Sequence, residues 1–146
     1  MEMNSIYMQS YLDILKQNAL KITPKRKAVI DLFLKNNRRM GPREVYQNLR
    51  KDIAPLGLPT VYRILEEFKN IGVLIQIPSA DRQLYYMLCK MPHEHHHHFF
   101  VCRGCRRVEE VEYCNFGEVS KFIEKNLNGK VEQHFLHIEG LCSKCR

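Results

Sequence analysis

Apolar residues in the first half of the chain recur at the spacing of an amphipathic helix, most clearly after the Gly57-Leu58-Pro59 turn. The apolar side chains that follow fall at positions i, i+3, i+4 and i+7 of one helix: Val61, Ile64, Leu65 and Phe68. This spacing places them on one buried face, and Gly72 is expected to end the helix. The opposite face, with Thr60, Tyr62 and Arg63, should point outward.

Three earlier segments have the same period. A helix over residues 5–19 carries an apolar face formed by Tyr7, Tyr11, Ile14 and Leu15. A second helix opens at Thr23-Pro24, because Thr is a good N-cap and Pro is tolerated at the first helical position. Its predicted buried residues are Val29, Ile30, Phe33 and Leu34. A third helix lies within residues 43–52 and buries Val45, Tyr46 and Leu49.

Runs typical of β-strands begin after Gly72. Residues 73–77 and 84–88 are two such runs separated by turn-forming residues, which predicts a hairpin. Helix, helix, turn, helix and hairpin is the order of a winged helix-turn-helix. Beyond the hairpin we predict two strands, a helix and a last strand, over residues 99–102, 108–111, 116–127 and 132–139.

These elements predict an α/β (α+β) protein with two parts. A winged-helix domain is expected over residues 1–88, followed by a small α/β dimerisation domain over residues 89–146. A domain of roughly 70 residues buries little apolar core and often needs a staple such as a bound metal. A metal is therefore expected.

Positive charge is concentrated in the first half of the chain. Lys and Arg number 23 against 16 Asp and Glu, which gives a net charge of +7. Through Pro78 there are 13 basic and 7 acidic residues, against 10 and 9 beyond it. This asymmetry indicates a polyanionic partner, either nucleic acid or an anionic membrane surface.

The first residues lack the features of a secretion signal. Residues 1–17 mix Glu2, Asp13 and Lys16 with scattered apolar residues, without a basic region followed by an apolar one. No run of about 18 apolar residues occurs, so we expect no membrane span and no membrane partner. A reducing cytoplasmic location follows, in which the six cysteines should bind metal before they form disulfides.

Two C-x-x-C pairs, Cys102 with Cys105 and Cys142 with Cys145, carry the strongest chemical signal. Two intervening residues let both thiolates of a pair point at one ion from a tight turn. Four thiolates form a closed tetrahedral zinc site without a position for water, so we predict a structural zinc. Paired redox dithiols are the alternative, but a thioredoxin-like site uses a single C-x-x-C motif. Cys114 has no partner at ligand spacing and is expected to be a free thiol.

Four features of the chain occur in the order and approximate spacing of the ferric uptake regulator family. They are Thr23-Pro24-Lys25-Arg26, Thr60-Val61-Tyr62-Arg63, the histidine cluster of residues 93–98 and the two C-x-x-C pairs. Together they span nearly the whole sequence. This resemblance implies a homodimeric repressor with an N-terminal winged helix, a hinge and a C-terminal dimerisation domain that carries metal sites.

Within the family, the sequence resembles the zinc uptake regulators through residues 84–89, 99–102 and 140–145. A thiolate at Cys89 is softer than the oxygen or imidazole that iron and peroxide sensors tend to supply there, and it favours zinc. Phe99 also stands where those sensors usually have a histidine. We therefore predict a zinc-responsive repressor of metal-uptake genes, with Zn²⁺ as the structural and the regulatory ion. An iron- or peroxide-responsive repressor with regulatory Fe²⁺ is the alternative.

The resemblance also implies two further ligand sets. The regulatory set is Cys89, His95, His97 and Glu110, and a second set is His96, His98, Glu118 and His134. If the strand over residues 99–102 extends backward, His95 and His97 share one face of the sheet, and His96 and His98 share the opposite face. A β-bulge would exchange the two sets. By the same alternation, His137 is expected to point away from His134.

The outward face of the fourth helix is predicted to read double-stranded DNA, because the second helix of this motif lies in the major groove. Arg63 suits a guanine edge, and Tyr62 suits a thymine methyl or a phosphate, next to Thr60. Side chains expected to bind phosphates are Lys25, Arg26, Lys27 and Arg82. An intrahelical ion pair with Glu66 or Glu67 is the alternative role for Arg63.

Other classes of protein fit the pattern less well. A zinc hydrolase or deaminase needs an open zinc position and an H-x-E motif, whereas His93 is followed directly by Glu94 and no proline precedes Cys102. An RNA-binding module would need exposed stacking aromatics on a sheet, and Tyr85 and Tyr86 alternate within the predicted wing. We expect no enzyme activity and no small-molecule substrate.

Overall fold

The computed structural model describes residues 2–77, 79, 81–90, 97–132, 134 and 136–146, with side chains from Ile6 onward. The chain divides into two compact units, residues 1–93 and residues 94–146. The first contains four helices and a hairpin, and the second contains three strands and one helix. The fold class is the predicted mixture of helices and sheets, with a winged helix first.

The helices of the first unit begin where the sequence provides a start signal. They are α1 (Glu2–Gln17), α2 (Pro24–Asn36), α3 (Pro42–Leu49) and α4 (Leu58–Asn70). Thr23 caps α2, since its Oγ1 accepts a hydrogen bond of 3.3 Å from the backbone N–H of Arg26. Gly72 follows α4 with a φ of 80°, a left-handed value that favours glycine.

One apolar core joins these four helices. The predicted face of α4 is buried, and the side chains of Val61, Ile64, Leu65 and Phe68 are at most 3% exposed. The predicted faces of α2 and α3 are buried except for Leu34 and Tyr46, which are partly buried and pack against the core. The prediction for α1 holds for Tyr11, Ile14 and Leu15 but is wrong for Tyr7, which is 53% exposed. The core contacts of α1 come from its C-terminal half, so its first turns extend past the core.

The wing is an antiparallel hairpin of β1 (Leu74–Ile77) and β2 (Tyr85–Leu88), with Leu74 opposite Leu88. Met40 adds an isolated bridge to it, because the backbone groups of Met40 and Tyr86 exchange two hydrogen bonds of 2.9 Å. The wing is thereby attached to the segment between α2 and α3.

Cys89 follows β2 directly and is fixed to the first unit through its backbone. Its N–H donates to the carbonyl of Val73 at 3.0 Å, and the hydroxyl of Tyr11 donates to its carbonyl at 2.9 Å. Burial, followed by the neighbouring Cys89, raises the pKa of Tyr11 to about 12. These contacts keep Cys89 with the winged helix, whereas the sequence-based boundary places it in the second domain.

The second unit is a three-stranded sheet in the order β4-β3-β5. Its strands are β3 (His98–Cys102), β4 (Val108–Glu110) and β5 (Leu136–Gly140). β3 pairs antiparallel with β4 and parallel with β5, so α5 (Phe116–Leu127) forms the crossover that a parallel pair requires. The last strand begins at Leu136, later than predicted, because its pairing with β3 begins opposite His98.

The core of the second unit is small. Its buried apolar side chains in the described residues are Phe99, Val101, Cys102 and Val108, all from β3 and β4, and no residue of α5 is buried. None of the described helices combines the length and apolar character needed to cross a bilayer. The sparse core fits the expectation that this part of the chain needs a staple.

Candidate metal centres and nucleic-acid interface

The four cysteines of the C-x-x-C pairs come together at one end of the sheet. Cys102 is the last residue of β3 and Cys105 lies in the tight turn that follows, whereas Cys142 and Cys145 lie in a turn after β5. All four sulfur atoms lie within 4.8 Å of one another, and those of Cys105 and Cys142 are 3.7 Å apart. Zinc–sulfur bonds of about 2.3 Å in a tetrahedron place sulfur atoms about 3.8 Å apart. The donor set fits a four-thiolate zinc site.

Gly104 allows the two turns to approach this closely. A Cβ atom at this position would lie 2.9 Å from both the Cβ and the Sγ of Cys145. Carbon and sulfur atoms do not pack at that distance, so any side chain here would push the two C-x-x-C turns apart. The glycine is therefore part of the site although it supplies no ligand.

Two opposite pKa shifts occur within the four-cysteine cluster. Backbone N–H groups of Cys105 and Cys142 donate to the sulfur of Cys102 and lower the pKa of its thiol to about 6. Hydrogen bonding among the side chains of Cys145, Cys142 and Cys102 raises the pKa of the Cys145 thiol to about 12. Four thiolates therefore need a cation to ionise together, and zinc provides that charge.

His97 and Glu110, two of the predicted regulatory ligands, are in direct contact. The Nδ1 atom of His97 lies 3.0 Å from a carboxylate oxygen of Glu110, and both side chains are largely covered. The register explains the contact, because Glu110 on β4 faces Phe99, and the His97 ring stacks on the Phe99 ring at 5.8 Å. A carboxylate beside an imidazole fixes the orientation of the ring.

The other two predicted regulatory ligands are placed differently. The side chain of Cys89 is buried, with 2% exposure, within the first unit. His95 lies outside the described residues. The structure thus brings two of the four regulatory ligands together and leaves the full set as a prediction.

A second cluster joins His98, Cys114 and His134, whose ligand atoms all lie within 4.8 Å of one another. The Sγ atom of Cys114 is 3.4 Å from Nε2 of His134, which is 3.2 Å from Nε2 of His98. The expectation that Cys114 has no partner at ligand distance is wrong, because the fold places its sulfur beside His134. No spacing in the sequence around Cys114 indicates this contact, since His134 lies 20 residues away.

Glu118, a member of the predicted second set, is not in this cluster. Its carboxylate accepts a hydrogen bond of 3.1 Å from the side chain of Asn115. His96, another member of that set, lies outside the described residues. His137 belongs to neither group, and its Nε2 lies 2.9 Å from the carboxylate of Glu139. Glu139 lies two residues further along β5, on the same strand face as His137.

The outward face of α4 presents the residues predicted to read DNA. Tyr62 and Arg63 are exposed, and Thr60 is half-buried at the first turn. Lys27 and Arg82 are exposed as well, and Lys25 lines an open groove of about 710 Å³ together with Thr60 and Arg63. Lys21, Arg26 and Glu67 also line this groove.

The charged side chains around α4 form a specific set of pairs. Arg26 donates from Nε and Nη2 to one oxygen of Glu67, at 3.3 and 2.8 Å, and from Nη1 to the carbonyl of Lys21 at 2.7 Å. Glu66 pairs with Lys69 along the helix. Among the described residues, neither glutamate forms an ion pair with Arg63, so the alternative intrahelical role of Arg63 is not observed.

Comparison with known proteins agrees with this arrangement. A model of the ferric uptake regulator family matches residues 17–139. The ferric uptake regulation protein of Bacillus subtilis (strain 168) is 31% identical over 143 residues, which cover 94% of this chain and 96% of that protein. The peroxide-responsive repressor PerR of Staphylococcus saprophyticus is 25% identical over 139 residues, covering 95% of this chain and 91% of that protein.

Solved structures show the same likeness in the fold. A zinc uptake regulator complexed with zinc and DNA has a TM-score of 0.81 at 21% identity, covering 97% of this chain and 94% of that chain. The family model covers most of the sequence, and the relatives match nearly end to end. The chain belongs to the ferric uptake regulator family, whose members are metal-responsive, DNA-binding transcription regulators and not enzymes.

Proposed function

We propose that this regulator senses zinc and that its zinc-loaded homodimer represses metal-uptake genes by binding a double-stranded operator. Family membership already makes it a metal-responsive regulator. The identity of the ion, the repressor activity and the dimer are the proposed part. The buried thiol of Cys89 at the end of the wing is the observation that favours zinc over other ions.

The proposed sensing ligands combine a thiolate with harder donors. Cys89 is held by its own backbone, through Val73 and Tyr11, so its position does not depend on a metal. His97 and Glu110 are paired at 3.0 Å, which orients the imidazole. His95 is the remaining proposed ligand, and it lies outside the described residues. A thiolate with imidazole suits zinc better than Fe²⁺ or Mn²⁺, which prefer oxygen-rich sets.

A bound zinc would supply a fixed link among these four ligands. We infer that zinc bound by these ligands raises the affinity of the protein for DNA, so that the binding of zinc and the binding of operator are linked.

The DNA contacts divide into base reading and phosphate binding. Tyr62 and Arg63 are exposed on α4 and are proposed to contact base edges, with Thr60 beside them. Lys25, Lys27 and Arg82 are proposed to bind phosphates. Arg26 is better assigned to positioning, because its guanidinium joins α2 to α4 through Glu67.

The proposed dimer rests on the uncovered surface of the second unit. Val119, Phe122 and Leu127 of α5 are 52%, 61% and 69% exposed, and Leu136, Ile138 and Leu141 are also exposed. So many large apolar side chains on about 50 residues are typical of an oligomer interface. The outer edge of β5 is also free of a strand partner among the described residues.

The choice of ion can be tested directly with a random-sequence duplex library. Wild-type protein that has lost its regulatory metal but retains its structural zinc is mixed with the library at buffered Zn²⁺, or with anaerobic Fe²⁺ or Mn²⁺, and bound DNA is sequenced. We expect one enriched palindromic sequence at the lowest free Zn²⁺ concentrations. Enrichment with Fe²⁺ or Mn²⁺ but not with Zn²⁺ would favour the iron- or peroxide-responsive alternative instead.

A further inference from the structure

The loop at the tip of the wing contains an arginine in an unusual backbone conformation. We propose that Asp81 is a positioning residue, which holds this loop in the shape that presents Arg82 to DNA. This inference deepens the proposed function, because it rests on the phosphate contact assigned there to Arg82. The loop joins β1 to β2, and its described residues are Ser79 and residues 81–84.

Arg82 has a left-handed backbone, with a φ of 58°, although it is not a glycine. This conformation is disfavoured for a residue with a Cβ atom, and it persists only where neighbouring contacts hold it. The backbone N–H of Arg82 donates to the carbonyl of Ser79 at 3.1 Å. The Arg82 side chain itself is exposed. An exposed arginine therefore stands on a backbone that its surroundings must fix.

Asp81 supplies the contact that spans Arg82. One oxygen of its carboxylate accepts a hydrogen bond of 2.9 Å from the backbone N–H of Gln83. An aspartate bound to the backbone two residues further on closes a local turn, and Arg82 is the residue inside that turn. The other carboxylate oxygen accepts a hydrogen bond of 3.0 Å from the hydroxyl of Tyr85. Asp81 is thereby connected to β2 as well as to its own loop.

A buried arginine lies against the ring of Tyr85. The guanidinium carbon of Arg39 is 4.4 Å from the ring centroid, and Arg39 is 6% exposed. Its Nε and Nη1 atoms have no hydrogen-bond partner among the described residues, so the electron-rich ring face is a contact that stabilises its charge. The N–H of Gln83, and then Ser79, Tyr85 and the charge of Arg39, lower the pKa of the Asp81 carboxyl. An ionised carboxylate is the stronger hydrogen-bond acceptor.

The negative charge of Asp81 makes its place at the tip of the wing informative. A carboxylate repels the phosphates of DNA, so electrostatics alone predicts that loss of this charge strengthens DNA binding. Positioning predicts the reverse, because without the turn oxygen Arg82 relaxes to an ordinary backbone conformation. A preorganised side chain binds with a smaller loss of conformational freedom than a mobile one. The two accounts therefore give opposite signs for the same substitution.

Operator binding by Asp81→Ala and Asp81→Asn separates the two accounts. Both substitutions remove one negative charge, but asparagine keeps an oxygen that can accept from the N–H of Gln83. Full-length proteins that hold their structural zinc and the ion that supports operator enrichment are titrated with the selected operator over a range of salt. Asp81→Ala should bind at least about threefold more weakly than Asp81→Asn, with a salt slope lower by about one for each bound chain.

Arg82→Ala and the double variant Asp81→Ala/Arg82→Ala complete the comparison. If Asp81 acts through Arg82, the loss caused by Asp81→Ala should disappear once Arg82 is absent. Far-ultraviolet circular dichroism verifies that each variant is folded.

Two results would overturn the proposal, and they differ in what they say about the proposed function. Equal operator affinities of Asp81→Ala and Asp81→Asn would remove the positioning role, and the phosphate contact of Arg82 would stand if Arg82→Ala still weakens binding. A wild-type affinity of Arg82→Ala would remove that contact as well, and with it one phosphate assignment of the proposed function.

Discussion

At the scale of single residues, the contact between Gly104 and Cys145 gives a sharp prediction for the four-cysteine site. Gly104→Ala places a methyl group 2.9 Å from the Cys145 sulfur. We expect the C-x-x-C turns to separate at a cost of about 1 to 3 kcal/mol, as in other overpacked sites. A chelator competition assay should then remove zinc from this variant at lower chelator concentration than from wild type.

Gly117→Ala is the matched control. A Cβ atom at Gly117 has no neighbour within 4 Å, and the residue lies in α5. Alanine favours helix over glycine, so this change should be neutral or stabilising by up to about 1 kcal/mol. Equal zinc retention in the two variants would show that the approach of Gly104 to Cys145 is unimportant for the site.

Arg63 and Lys25 differ in the kind of DNA contact that we assign to them. Arg63→Ala should cost about 1 to 3 kcal/mol on the selected operator and relax specificity at one position of each half-site. Lys25→Ala should weaken operator and random DNA alike and lower the slope of log K against log salt by about one. Fluorescence anisotropy over a range of salt separates the two effects. Identical behaviour of both variants on both DNAs would contradict the assignment.

At the scale of elements, α2 and α4 are joined by the Arg26–Glu67 pair, which is 16% and 28% exposed. Arg26→Met leaves the Glu67 carboxylate without its donors, so we expect a loss of about 1 to 3 kcal/mol in the free energy of unfolding. Urea denaturation measures this loss in the free energy of unfolding. The salt slope of DNA binding should stay unchanged if Arg26 only positions α4, and it should fall by about one if Arg26 binds phosphate.

Lys35→Ala is the control for this pair. Lys35 and Asp31 pair at 2.6 Å within α2, but both are exposed, with 67% and 45% of their side-chain surface accessible. Exposed pairs of this kind contribute about 0.3 to 0.5 kcal/mol. A loss in Lys35→Ala as large as that in Arg26→Met would mean that burial does not distinguish the two pairs.

The elements also show what the sequence can and cannot predict. The 3.6-residue period of the apolar positions predicted α4 and its buried face. The C-x-x-C spacing predicted the four-cysteine cluster. Both predictions were possible because each pattern lies within a short stretch of sequence. The exposure of Tyr7 and the position of Cys114 depend on where a distant segment lies, and no local pattern encodes that. Cys114 contacts His134, which lies 20 residues away in the sequence.

At the scale of the whole molecule, the uncovered side of α5 predicts the oligomeric state. Phe122→Glu places a charge on the exposed apolar surface of α5, so we expect a folded monomer in analytical ultracentrifugation. Lys121→Glu changes an exposed residue on the opposite side of the helix by the 3.6-residue period and should leave a dimer. A dimeric Phe122→Glu protein, or a monomeric Lys121→Glu protein, would place the interface elsewhere.

We expect dimer geometry and binding of the sensing ion to affect DNA affinity together, because DNA fixes the spacing that the two recognition helices must have. A two-fold dimer reads two half-sites only when its recognition helices match successive turns of the major groove, about 34 to 36 Å apart. Without the sensing ion, only a fraction of the molecules would have this spacing, and apparent affinity falls by that fraction. Linkage requires operator DNA to tighten zinc in return.

Operator binding as a function of free zinc, for wild type and Cys89→Ser, tests the central claim most directly. Free Zn²⁺ is buffered over a wide range, and the selected operator is titrated at each concentration with proteins whose four-cysteine sites are loaded. We predict that wild type gains operator affinity at a defined zinc midpoint, and that Cys89→Ser remains a folded dimer with no such gain. The same zinc midpoint in both proteins would contradict the account, because it would make Cys89 a buried thiol with no part in sensing.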